Sequence, residues 1–192
     1  MKPEEQIWRE FDVIEQALGG DILYLEESLV LEDSPTLRRG YCRAVFAYAE
    51  GIAGWMRRYT IQIYYPGTLG KDEKRDLERR NGALQRIFTA FDLFTDTAGA
   101  RTPLRVDSKE WRALKSALKI RNRITHPETV SDVLISDRDI AEMRAARELI
   151  TDMLAHIFSE SGAALLHRAK GVRVAFKRIK AQEEIEKRQA AK

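Results

Sequence analysis

One short segment combines residue types suited to chemistry: Arg121-Asn122-Arg123-Ile124-Thr125-His126-Pro127. A guanidinium forks around anionic oxygens, and an imidazole takes up and releases protons near neutral pH. Asn122 and His126 are four apart and share one face of a helix, whereas Arg121 lies roughly 140° around the axis from His126 and must use its length to converge with them. Because a residue before proline is pushed out of the α region, His126 should sit at or just past the helix end. The plainer reading is that His126 caps the helix and Arg121 makes an ion pair.

Spacing alone does not choose between these readings. With 22 arginines and three histidines in 192 residues, an Arg–His pair separated by four to six residues arises about once by chance. Context adds more: Asn directly after Arg, termination at His-Pro, and placement on the fifth of several amphipathic helices.

Those helices follow from apolar spacing nearly throughout, with no strand alternation and no repeat of solenoid length, so the class is all-α. Ile7, Trp8, Phe11, Ile14 and Leu18 predict a first helix that stops at Gly19-Gly20. Ile22, Leu25 and Leu29 predict a second, from Asp21 to about Leu31. Ser34-Pro35 reads as N-cap and first helical residue of a long helix striped by Leu37, Tyr41, Val45, Tyr48, Ile52, Trp55 and Tyr59, with Pro66-Gly67 ending the segment. The next helix is expected from about Asp72 to Asp96, apolar through Leu84, Ile87, Phe88, Phe91 and Phe94. Asp107 and Glu110 read as a capping box for the helix that carries the segment above. Ser136-Asp137-Arg138-Asp139 opens another, running through Ile140, Met143, Leu149, Leu154 and Phe158 to a break at Ser161-Gly162. The organisation is then 1–33, N-terminal helices packed on the bundle; 34–160, the bundle; and 161–192, a basic C-terminal helical extension.

The Arg121-Asn122 to His126-Pro127 pattern on such a helix resembles the signature of the HEPN superfamily, Arg, often a polar residue, then His after four to six residues. The segment Arg43-Ala44-Val45-Phe46-Ala47-Tyr48-Ala49-Glu50-Gly51-Ile52 is similar to the acidic helix that faces the motif in many members. The likeness covers roughly residues 35–160. It implies an antiparallel HEPN-like helical bundle, a homodimer that brings two motifs together, and cleavage of RNA without metal in a prokaryotic defence or toxin–antitoxin setting, with an antitoxin or sensor protein as a further partner. By that resemblance His126 is the general acid or base at a ribose 2′-OH or a leaving 5′-oxygen, and Arg121 holds the scissile phosphate. Asn122 would orient His126 or a phosphate oxygen, Arg123 would meet RNA, and no cofactor is called for. The alternative is a non-catalytic HEPN-like dimer that binds RNA or protein and uses Arg121 and His126 structurally.

Glu50 is the only charge between Arg43 and Arg57, and a buried carboxylate needs a partner. It either pairs with Arg121 and fixes that side chain's direction, or pairs with Arg43 or Arg57 at the helix surface.

Charge is unevenly spread. The formal +3 divides into +6 over 168–192, nine Lys or Arg against three Glu, and −3 over 1–167, 24 basic against 27 acidic. Arg173, Lys177, Arg178 and Lys180, interleaved with Val172, Val174, Phe176 and Ile179, suit an anionic partner, RNA first among them, or a solvated helix packed along one stripe. The single cysteine, Cys42, excludes an internal disulfide and a cysteine-based zinc cluster and suits a reducing cytoplasm. Met1-Lys2-Pro3-Glu4-Glu5 turns acidic where a secretory leader needs an apolar run, and the apolar stretch between Arg43 and Arg57 is 13 residues with Glu50 inside it, too short to span a bilayer. His156 and His167 are about 16 Å apart on a continuous helix and no metal-ligand spacing occurs, so no metal is expected. Gly67-Thr68-Leu69-Gly70-Lys71 lacks phosphate-loop spacing and reads as a connector.

Overall fold

A computed structural model describes residues 3–64, 82–100 and 108–160, and the described residues are helical with no strand. The helices are α1 (Pro3–Ile14), α2 (Gly20–Leu31), α3 (Pro35–Tyr59), α4 (Ala83–Ala98), α5 (Lys109–Thr125) and α6 (137–160). No helix among the described residues is long and apolar enough to cross a membrane.

Helix α3 is the centre. Ser34 caps it by accepting from the Leu37 N–H at 3.3 Å, and Pro35 occupies its first turn, as the sequence predicts. Its stripe of Tyr41, Val45, Tyr48, Ile52, Trp55 and Tyr59 is buried, and so are Cys42, Phe46, Ala49, Ala53 and Met56 on its other sides. A helix apolar on several faces must be surrounded, and α1, α2, α4 and α5 all pack on it. Around Trp55 gather Trp8, Phe11, Tyr59, Phe94 and Phe158, with ring centroids 4.6–6.5 Å from it. The Trp55 indole N–H donates to the Ile7 carbonyl at 2.8 Å, so the ring is buried without an orphaned donor.

The predicted stop at Gly19-Gly20 does not occur. α1 passes through a π-helical turn, Glu15–Gly19, straight into α2, and Gly20 is an ordinary right-handed helical residue (φ −60°, ψ −43°). Two glycines cost a helix about 1 kcal/mol each, and the burial of Ile22 to 1% exposure beyond them, worth about 1.5–3 kcal/mol, outweighs most of that. The π turn lies against α3. A methyl group on Gly51 would lie 2.7 Å from Leu18 Cδ1 and 3.4 Å from Ile14 Cγ2.

Two other boundaries shift. Gly82 is extended (φ −53°, ψ 162°), so α4 begins at Ala83, and the part of the expected helix over 72–81 lies outside the described residues. Ser108, not Asp107, caps α5, accepting from the Trp111 N–H at 3.1 Å. The paired residues also give directions: Glu26–Tyr41 and Ile7–Trp55 make α1–α2 antiparallel to α3, and Arg43–Ile124 with Glu50–Arg121 makes α5 antiparallel to it. Glu50–Arg86 and Trp55–Phe94, by contrast, rise together, so α3 and α4 are parallel neighbours within the bundle.

Candidate functional site

Helix α5 delivers the Arg–Asn…His segment to the edge of α3. Ile120 and Ile124 anchor its last turns in the core at 5% and 2% exposure, leaving Arg121 and Asn122 at the rim. The helix ends at Thr125, and His126, at φ −129° and ψ 65°, has left the α region before Pro127, its N–H still donating to the Asn122 carbonyl at 2.9 Å. Carbonyls of a final turn lack partners within the helix. Here the Thr125 hydroxyl donates to the Arg121 carbonyl at 2.7 Å, and Arg43 of α3 donates to the Ile124 carbonyl at 3.3 Å.

Arg121 is held on three sides. One terminal nitrogen lies 3.8 Å from Glu50 Oε2, another donates to Asn122 Oδ1 at 3.1 Å, and the guanidinium carbon stands 5.6 Å from the centre of the Phe46 ring. Glu50 Oε1 meets Arg86 of α4 at 3.5 Å. The surface alternatives for Glu50, Arg43 and Arg57, are not its partners, Arg43 being engaged on α5. One carboxylate thus stands between two guanidiniums. Arg121, Glu50 and Arg86 keep 30%, 33% and 40% of their side-chain surface open to solvent, so a phosphate can reach them. Asn122, expected to orient His126 or a phosphate, gives its carbonyl oxygen to Arg121. His126 is exposed, and its imidazole makes no hydrogen bond or ion pair among the described residues.

Arg123, expected to meet RNA, is engaged within the fold. It turns to the opposite side of α5, donating to Asp139 Oδ2 at 2.8 Å and to the Leu134 carbonyl at 3.2 Å. Asp139 also accepts from the Ser136 N–H at 2.9 Å and hydroxyl at 2.8 Å, which closes the start of α6. Burial alone would push the Asp139 carboxyl up, but the Ser136 and Arg123 donors together hold it below its ordinary value.

The chain between His126 and α6 is fixed by its carbonyls and one carboxylate. Arg38 donates to Ile135, Arg39 to Val133 and Arg123 to Leu134. Asp132 accepts from the Glu128 and Thr129 N–H groups at 3.0 and 2.7 Å, and the Thr129 bonds are the main reason its carboxyl is lowered. His126 therefore stands between a capped helix and a tied loop.

The sequence reading missed Arg86 and Phe46 as members of this site. A signal was available for Phe46: Arg43, Phe46 and Glu50 are spaced i, i+3, i+7 and so lie on one face of α3. Arg86 is brought in by tertiary packing alone. Arg173, Lys177, Arg178, Lys180 and His167 lie outside the described residues, as do Tyr65 and the 67–71 connector. Among the described residues no group of three or more His, Cys, Asp or Glu side chains could hold a metal ion. Compared with family models, curated proteins and solved structures, the chain matches none of them.

Proposed function

We propose that this chain is a metal-independent endoribonuclease of HEPN type, working as a homodimer. The observation that carries the reading is Glu50 of α3 facing Arg121 of α5 about one turn before an exposed His126 that makes no hydrogen bond or ion pair among the described residues. An acidic helix opposite the Arg–His helix is the arrangement the resemblance implies.

In this reading a phosphodiester lies against Arg121 with Arg86 beside it, the two guanidiniums balancing the charge that grows on the phosphoryl oxygens. The ribose 2′-oxygen attacks phosphorus and the 5′-oxygen leaves. His126 takes the 2′-OH proton or supplies one to the 5′-oxygen, and the second subunit's motif performs the complementary transfer. Positioned proton transfer of this kind contributes about 10²–10⁴-fold. The reaction requires a 2′-OH, which makes RNA the substrate and spares DNA. Glu50, Phe46 and Asn122 position Arg121 and do not touch the reacting atoms.

The rival reading, a non-catalytic HEPN-like dimer that binds RNA or protein, is favoured by the three partners Arg121 already has within the fold. Mixed cellular RNA incubated with the full chain in chelator separates the two. The enzyme reading expects fragments that disappear in Arg121→Ala and His126→Ala while helicity and oligomeric state persist. Fragments unchanged in both variants overturn the assignment of these residues, and RNA left intact by the wild-type chain while still bound supports the rival.

A further inference from the structure

The acidic side of the chain is not diffuse. Residues 3–33 hold ten carboxylates against a single basic residue, Arg9, a net of −9, so the −3 of residues 1–167 conceals a strongly negative N-terminal helix on a positive bundle. Three of those carboxylates are used against the bundle: Glu10 on Arg58, Glu26 on Arg147 and Asp33 on Arg38. Asp12, Glu15, Asp21, Glu27 and Glu32 are exposed and make no ion pair among the described residues.

The same helix exposes apolar surface. Leu23, Tyr24, Val30 and Leu31 are 52%, 69%, 81% and 88% exposed. With Glu27 they recur at i, i+1, i+4, i+7 and i+8, one continuous face, while Ile22, Leu25 and Leu29 turn toward the bundle. Single exposed apolar residues are ordinary, but four on one face within nine residues form a patch of the kind that marks an interaction surface. Its occupant needs apolar groups set among cations.

We propose that this outer face of α1–α2 is the docking site of the chain's own segment 168–192. That segment carries a net of +6, and its Val172, Phe176 and Ile179 stand at i, i+4 and i+7 among Arg173, Lys177, Arg178 and Lys180. Its origin is suitably placed. α6 runs antiparallel to α1–α2, with Arg147 at Glu26 and Phe158 stacked on Trp8 and Phe11 at 5.8 and 5.4 Å, so the chain leaves residue 160 beside the start of α1. From Trp8 to Leu31 is about 35 Å of helix, and the eleven residues 161–171 in extended form reach about 36 Å, which is enough to carry Val172, Phe176 and Ile179 to the face at Leu23–Leu31. Docking in this way engages the tail's cations with carboxylates of its own chain, so an anion outside must compete for them. The inference is independent of the reading of Arg121 and His126.

The test uses the full chain with a nitroxide on Ala181→Cys, Cys42 being buried, and amide line broadening as the readout. Docking predicts broadening at residues 23–31 that is lost in Glu27→Lys/Val30→Lys/Leu31→Lys and weakened at 1 M salt, where screening is confined to about 3 Å. Absence of broadening in the wild-type chain overturns the proposal. So does broadening seen only when spin-labelled and isotope-labelled chains are mixed, which would assign the face to a second copy. Unchanged circular dichroism of the triple variant is required for its loss of broadening to count in favour.

Discussion

Replacing Asp139 with alanine should be the most damaging single change at the α5–α6 junction. Its Oδ2 accepts three donors, from Arg123, the Ser136 N–H and the Ser136 hydroxyl. Its side chain is 16% exposed. A hydrogen bond to a charged group contributes about 1.5–3 kcal/mol. Arg123 is 33% exposed, so solvent screening places its bond at or below the lower end of that range. Loss of the N-terminal box on α6 adds about 1 kcal/mol. Arg123 Nε is already buried without a partner, so relaxation of the freed guanidinium recovers little. The sum is about 2–2.5 kcal/mol, read as a lower urea midpoint at unchanged m-value. The pH dependence supplies a sign. Because the folded carboxyl is held below its ordinary value of 3.8, its contribution is complete above that value and is lost as pH falls through the lower folded one. Asp139→Asn should therefore lose stability at pH 7 and converge on the wild type under acid. A loss below about 0.5 kcal/mol, or a difference that does not shrink on acidification, would refute the reasoning.

Other expectations follow from single contacts. Glu50→Gln removes the carboxylate between Arg86 and Arg121, groups 30–40% exposed, so urea titration should show a loss within about 1 kcal/mol, while RNA cleavage falls as Arg121 loses its orientation; a variant unchanged in both would contradict the pairing. Ser108→Ala should destabilise by about 1 kcal/mol, read as a lower Tm, by stripping the Trp111 N–H of its acceptor; an unchanged Tm would return the cap to Asp107. Burial pushes the Cys42 thiol up to about 12, so thiol reagents at pH 8 should label the folded chain only as fast as it opens; labelling at the rate of a free thiol would place Cys42 outside the core.

What the sequence disclosed was what local chemistry decides. Ser34-Pro35 and the α3 stripe were legible because a cap, a proline and a 3.6-residue period act within one helix, and His126 before Pro127 marked the end of α5 for the same reason. Gly19-Gly20 misled because the opposing contribution is distant: Leu18 against Gly51 and Ile22 in the core. Asp107 and Ser108 offer the same capping chemistry one residue apart, and the bond from the Trp111 N–H identifies Ser108 as the cap. The parallel course of α3 and α4 has no local signature, and with it goes Arg86, which reaches Glu50 only because the two helices run side by side. The pairing of Arg123 with Asp139 was not legible because the acceptor is sixteen residues further along.

The central claim is that His126 moves a proton at a ribose 2′-OH. It is tested most directly by the 3′ ends left on one defined RNA after incubation with the full chain in chelator, beside the same RNA treated with His126→Ala. A 2′,3′-cyclic phosphate from the wild-type chain and none from the variant is the result the account predicts. Intact RNA, 3′-hydroxyl ends, or cyclic phosphate formed equally by the variant would contradict it.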